Sequence, residues 1–219
     1  MVVRGAFELD LQVLKDKLVE LGQLTDQALN ESIEALTTQN IDQALTVIDD
    51  DTPIDLLDEE INDFAILLIT KQQPVAIDLR RIIVAIKVST DVERIADFAV
   101  NIAKATIRIG EKRHIKSLDK IVKMQEHAIQ MLNLAIQAYE TEDVLLAKKV
   151  VEMDDFVDQL YGENIRELLE LTKTNSEQMS QITQLSFVCR YIERIADHAT
   201  NIAENIFYIV KGKRYELND

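Results

Sequence analysis

Two carboxylates four residues apart stand on one helix face at Glu93 and Asp97, and again at Glu193 and Asp197. Each pair frames the pentapeptide Glu-Arg-Ile-Ala-Asp, whose two copies lie 100 positions apart. Both copies continue into Ala-x-Asn-Ile-Ala, at 99–103 and 199–203. Like charges at this spacing repel by a few tenths of a kcal/mol on an exposed helix (~0.2–0.5). A unit that carries the pair twice therefore calls for a cation. A second set of acids has the same spacing: Asp51 with Asp55, and Asp154 with Asp158. If the helices carrying the two sets pack antiparallel, four hard oxygen donors converge in each half. Such donors suit divalent or trivalent cations, and bridging carboxylates hold more than one. Asp49, Asp50, Asp58, Glu59, Asp155 and Glu163 are either further ligands or solvated charges. A competing reading gives the cation's place to arginine. Arg94 and Arg194, or Arg80 and Arg190, would then pair with the acids as salt bridges.

Other reactive residue types offer less. His198 follows Asp197 where the first copy has Phe98, and reads as a packing or hydrogen-bonding residue. Cys189 lies among Phe187, Val188 and Tyr191, the setting of an inert core thiol. His114 and His127 read as linker and surface residues. There is no Gly-rich phosphate loop, GxSxG or HExxH motif. No nucleophile–base pair follows from spacing, so no catalytic residue is assigned and the chain reads as a non-enzyme. A carboxylate-bridged di-metal oxidase would need a Glu-x-x-His on each of two paired helices. The only such spacing, Glu111 with His114, falls in a linker without a partner.

The elements that must position these acids are helices. Leu11, Leu14, Leu18 and Leu21 begin an apolar face that Ala28, Leu29, Ile33 and Leu36 continue. Asn40 caps a second helix over 41–71, which Gln72-Gln73-Pro74 breaks, because the residue before proline avoids helical geometry. A third runs over 76–109 to Gly110. The basic stretch Lys112-Arg113-His114 leads to Ser117, an N-cap for a fourth over 118–140. Thr141 or Asp143 opens a fifth, to 172. The polar turn Thr174-Asn175-Ser176 precedes a sixth over 177–211, ended by Gly212. On the third helix, Leu79, Ile83, Ile86, Thr90, Glu93 and Asp97 are spaced as a heptad-like seam, which predicts that the acids extend a buried stripe. The second copy reads Met179, Thr183, Ser186, Arg190, Glu193, Asp197.

The duplication extends beyond the pentapeptide. Residues 28–51 overlay 131–154 at an offset of 103, matching Leu36 to Tyr139 and Ala44 to Ala147. The same offset carries Asp51 to Asp154 and Asp55 to Asp158. The chain therefore reads as all-α, two tandem three-helix bundles over 1–112 and 113–219. Helices near 30 residues span about 45 Å, which makes the molecule elongated.

Composition agrees. Of 219 residues, 47% are hydrophobic, enough for a core, while 5 Gly, 2 Pro and no Trp argue against sheets and their turns. The net charge of −15 disfavours nucleic acid and direct adhesion to anionic lipid. A single cysteine fits a reducing cytosol. The N-terminus lacks the apolar core of a signal peptide, and no uncharged run approaches the 18 or so residues of a membrane span.

The doubled ERIADxAxNIA, each copy preceded by an acidic second helix, resembles the PhoU family of phosphate-signalling proteins. The resemblance covers essentially the whole chain, including LDEEI at 57–61 and DLRRI at 78–82. It implies two bundles related by pseudo-twofold symmetry, with multinuclear metal clusters on the surface. Their ligands would be Asp51, Asp55, Glu93 and Asp97 in one half, and Asp154, Asp158, Glu193 and Asp197 in the other; the metal could be iron, zinc or magnesium. It implies a cytoplasmic, often homodimeric negative regulator of phosphate uptake. Such a protein couples the ATPase of a phosphate ABC transporter to a membrane sensor histidine kinase, and meets the membrane only through these partners. Two departures predict unequal clusters: Gly162 stands where the first half has Glu59, and Phe98 replaces the more usual His after Asp97. The alternatives are the di-metal oxidase and a metal-free helical scaffold.

Overall fold

The computed structural model describes the backbone of residues 2–213 and the side chains of residues 5–213. Among the described residues seven α-helices follow one another: α1 Val2–Thr38, α2 Ile41–Asp49, α3 Thr52–Gln72, α4 Ala76–Ile109, α5 Asp119–Thr141, α6 Val144–Thr172 and α7 Met179–Lys211. A 3-10 turn, Ser176–Gln178, leads into α7. Among the described residues there is no strand. At 1.5 Å per residue, α4 is about 50 Å long.

The helix limits follow local chemistry. Asn40 accepts a hydrogen bond from the Gln43 N–H and starts α2. Asp143 does the same for α6, accepting from Leu145 and Leu146. Ser117 Oγ accepts from the Asp119 N–H at 3.3 Å, steadying the start of α5. Gly110 (φ 68°) and Gly212 (φ 70°) close α4 and α7 in backbone that other residues resist.

The expected second helix over 41–71 is in fact two. It breaks at Asp50-Asp51 because Pro53 lacks an N–H and fits only the first turn of a helix, where α3 places it. The equivalent of Pro53 in the second half is Phe156, and α6 runs through that point unbroken.

In the first half α1 packs on α2, α3 and α4; in the second α5, α6 and α7 pack on one another. The halves meet through α1 with α5 and, most extensively, through α4 with α7. Gly22 allows the first of these, since a Cβ there would lie 2.9 Å from Ile136 Cγ1. Buried side chains of both halves form one continuous cluster. The repeat is visible in it: Leu36 and Tyr139, Ala44 and Ala147, Val47 and Val150 are all buried.

The α4–α7 crossing shows how the repeats are related. His198 Nδ1 lies 2.9 Å from Asp91 Oδ1, and the Phe98 ring stacks on Tyr191 at 5.9 Å between centroids. Positions 91 and 191, and 98 and 198, are equivalent in the repeat. The two contacts are thus one contact seen twice across a pseudo-twofold axis, a polar pair on one side and an aromatic stack on the other. α4 and α7 run antiparallel and cross between them, at the pentapeptides.

Candidate functional site

Each half builds an acidic cleft from its pentapeptide helix and the helix before it. In the first, Asp51 sits at the N-cap of α3 without a side-chain capping bond, and Asp55 lies in the first turn. The positive end of the α3 dipole favours carboxylates there. α4 runs antiparallel to α3, so Glu93 and Asp97 meet them: Asp97 acts electrostatically on Asp51, and Asp55 and Asp58 act on Glu93. Asp58 is fixed by a hydrogen bond from the Ser89 hydroxyl and another, 3.1 Å, from Asn62 Nδ2. In the second cleft Asp154 and Asp158 lie within α6, facing Glu193 and Asp197 of α7, and there is no helix end to compensate them.

Burial and like charge raise five of these carboxylates above their ordinary range. Asp51 is raised by desolvation, then by Asp55 and Asp97. Glu93 is raised by desolvation, then by Asp97. Glu193 follows the same pattern with Asp197. Asp158 is raised by desolvation and Asp197. Asp154 goes furthest: desolvation, then Asp158, Asp197, Asp155 and Glu193 push it up to about 7.

The acids of each half thus act on one another across their cleft, but their surroundings are not the buried stripe that the seam predicted. Ile83 and Thr90 on α4, and Met179 and Thr183 on α7, are exposed. The buried face of α4 runs instead through Ile82, Val88, Val92, Ile95, Ala99 and Ile102. The acids line its margin, half-open to water: the side chains of Asp97 and Asp197 keep 38% and 37% of their surface, those of Glu93 and Glu193 only 20% and 14%.

Arginines reach into both clefts. Arg94 lies 2.9 Å from Asp97 and 3.5 Å from Glu93. Arg190 lies 2.7 Å from Glu193, and Arg194 lies 3.7 Å from Asp197. These arginines are about half-exposed, so the pairs are screened and weak. They leave Glu193 Oε2 buried without a hydrogen-bond partner. In this conformation no three Asp, Glu, His or Cys side chains form a ready-made metal site among the described residues. The donor set nonetheless fits a hard cation: it is all carboxylate, partly desolvated, mutually repelling, and in the second cleft one buried oxygen is orphaned.

Of the further acids named from sequence, Glu163 belongs elsewhere: it binds Lys120 at 2.9 Å. Asp49, Asp50 and Glu59 are exposed, so Gly162 replaces a surface acid. Cys189 is buried, and desolvation pushes its thiol up to about 12, as an inert core thiol requires. His198 is a hydrogen-bonding residue, as expected. Its partner Asp91 escaped sequence reasoning; equivalence to Tyr191 gave no hint of it. His127 packs on Phe156 at 4.3 Å, and His114 Nε2 lies 2.9 Å from the Leu36 carbonyl.

The profile of the PhoU domain matches twice, over residues 18–106 and 121–206. The chain belongs to the PhoU family. A PhoU homolog from Clostridium acetobutylicum, described as a phosphate-specific transport system accessory protein, is 37% identical over the whole of both chains. The Escherichia coli PhoU of the same description is 30% identical over 97% of this chain and 88% of its own. Among solved structures, PhoU from Pseudomonas aeruginosa superposes with a TM-score of 0.90 at 29% identity, covering 94% of this chain and all of its own. The phosphate transport system regulatory protein PhoU from Streptococcus pneumoniae gives 0.90 at 26% identity, over 96% and 99%. The fold of this chain is thus that of the two solved PhoU structures.

Proposed function

We propose that this protein is a metal-binding accessory protein of phosphate-specific transport. It restrains phosphate uptake and the phosphate-starvation response by coupling an ABC transporter ATPase to a sensor histidine kinase. The transport role is supported by family membership together with the names of the relatives, which describe accessory and regulatory proteins rather than enzymes. The metal role rests on one observation: equivalent clefts in both repeats hold facing carboxylates that burial and mutual repulsion keep above their ordinary range.

Asp51, Asp55, Glu93 and Asp97 would hold metal in the first cleft, and Asp154, Asp158, Glu193 and Asp197 in the second. Iron, zinc and magnesium all suit carboxylate oxygen to differing degrees. A bound cation supplies positive charge that cancels the repulsion. The chain's own part is to set the helix faces: with the acids neutralised, α3 against α4 and α6 against α7 close into a single arrangement that a partner can recognise. Arg94, Arg190 and Arg194 act as placeholders that partly neutralise the clefts and swing to solvent when a stronger cation competes. The acidic surface speeds encounter with a basic patch on a partner. The protein acts in the cytoplasm as a homodimer and reaches the membrane only through its partners; no described helix is long and apolar enough to cross one.

The test joins metal to signalling. Asp97→Ala combined with Asp197→Ala lowers the metal content of purified protein and derepresses phosphate uptake. Unchanged metal content by elemental analysis refutes the metal role. Failure to retain the transporter ATPase in a pull-down refutes the adaptor role separately. Oxygen consumption by iron-loaded protein would favour the oxidase reading instead.

A further inference from the structure

The acids line two clefts, one in each half; the cations gather elsewhere along the chain. Residues 104–123 hold seven Lys or Arg and two acids, in a chain of net charge −15. Lys116 and Lys120 are committed to Glu167 and Glu163, and Lys123 lies over the Phe156 ring. Arg108, Lys112 and Arg113 are exposed and form no ion pair with a carboxylate among the described residues. They line a cavity of about 250 Å³ with Ile109, Glu177, Gln178, Ser180 and Gln181. A more open cavity of about 480 Å³ adjoins it, sharing Arg113 and Gln178 and adding Lys116 and Ser117.

This basic loop is held rather than loose. Gln39 Nε2, at the end of α1, donates to the carbonyls of Gly110 (2.9 Å) and Lys112 (2.5 Å). From the other half, Gln181 Oε1 accepts from the Ile115 N–H at 2.6 Å, and its Nε2 lies 3.4 Å from the carbonyls of Lys112 and Arg113. Gln181 is buried, and His114 Nε2 reaches the Leu36 carbonyl as a further tether. The Gly110, Lys112 and Arg113 carbonyls are thus spent on the protein, while the Lys112 and Arg113 side chains line the cavity. The first turn of α7 lines the same cavity with the positive end of its dipole.

We propose that this cleft, between the end of α4, the linker 110–118 and the start of α7, binds a phosphate-type oxyanion. The ligand is either free inorganic phosphate or the phosphate group of a small organic phosphate. Three cations stand against one carboxylate, Glu177, an excess that matches a doubly charged phosphate. Two guanidinium groups offer the forked donors that oxyanions take in pairs. The first cavity is below the usual size of an organic ligand site, about 300–1,000 Å³, and suits one oxyanion. The adjoining cavity gives an organic portion room to lie. No cleft acid takes part, so this site stands apart from the proposed metal role.

Equilibrium dialysis of chelator-stripped full-length protein tests it, with labelled inorganic phosphate in one arm and labelled glucose 6-phosphate in the other. Binding of about one oxyanion per chain is expected, weakening as salt rises. Arg113→Gln with Lys112→Gln weakens it at least about tenfold, as loss of charged hydrogen bonds implies. Glu177→Gln strengthens it several-fold, a gain that a damaged fold cannot produce. The tighter arm identifies the source of the phosphate group. Binding of neither probe overturns the proposal. So does binding that ignores all three substitutions, or binding lost in Asp97→Ala with Asp197→Ala and retained in the basic variants.

Discussion

The first acidic cleft stands at the start of a helix and the second in the middle of one. Asp51 and Asp55 open α3, where the positive end of the helix dipole favours negative charge. Asp154 and Asp158 occupy the same places in the repeat but sit inside α6, where the backbone is already hydrogen-bonded to itself. Lys104 also eases Asp51. Asp154 is instead raised first by burial and then by the four acids around it, which carries it to about 7. One sequence difference accompanies the different helix positions: proline at 53 against phenylalanine at 156. Duplicated sites can keep their ligands and diverge in the energy stored on them. On the proposed metal role, the second cleft, with its orphaned Glu193 oxygen, should gain more from a cation than the first.

The largest effect expected is on the helix itself. Phe156→Pro should impose on α6 the break that α3 tolerates, costing about 3 kcal/mol or more in denaturant unfolding. Pro53→Ala should cost under about 1 kcal/mol, since the preceding turn remains. Similar losses from both would remove proline as the source of the difference. Next comes metal. Glu193→Gln should weaken the second cleft's cation affinity by about 100-fold or more, because changes that merely reorient a ligand cost about 10–100-fold. The first cleft should keep its affinity; calorimetric titration showing both lost together would mean that the clefts act as one site.

A smaller, signed effect follows from Asp154. Its folded pKa, about 7, exceeds the ordinary 3.8, so the metal-free fold carries no penalty at low pH. The penalty grows as pH rises from about 4 to about 7 and is complete above that. Asp154→Asn should therefore stabilise the stripped protein at pH 8, by on the order of 1 kcal/mol once solvent screening is allowed for, and not at pH 3. Asp51→Asn should do less. Urea midpoints across this range that move equally for both would erase the distinction between the clefts. Smallest is the arginine effect. Arg190→Ala should raise metal affinity of the second cleft by about two- to fivefold, the worth of an exposed ion pair. A fall in affinity would show that Arg190 helps build the site rather than holding it in reserve.

The sequence itself determined the helices, the duplication and the eight acids that face one another. Periodicity of 3.6 and the capping residues Asn40, Asp143, Gly110 and Gly212 are local signals, and a repeat declares its own equivalences. Pro53 is a legible break as well, which the single helix expected over 41–71 leaves out of account. What only the tertiary structure decided is which face of a helix is buried, because this depends on how many neighbours it meets. The seam through Ile83 and Thr90 has the right spacing for a two-helix contact. α4, however, packs on α1, α2, α3 and α7 together, and this wider contact turned the seam, and the acids at its end, to the edge of the core. The partner of His198 was likewise fixed by the α4–α7 crossing. The basic linker gained its shape the same way, from Gln39 and Gln181, two residues 142 positions apart that only folding brings to one loop.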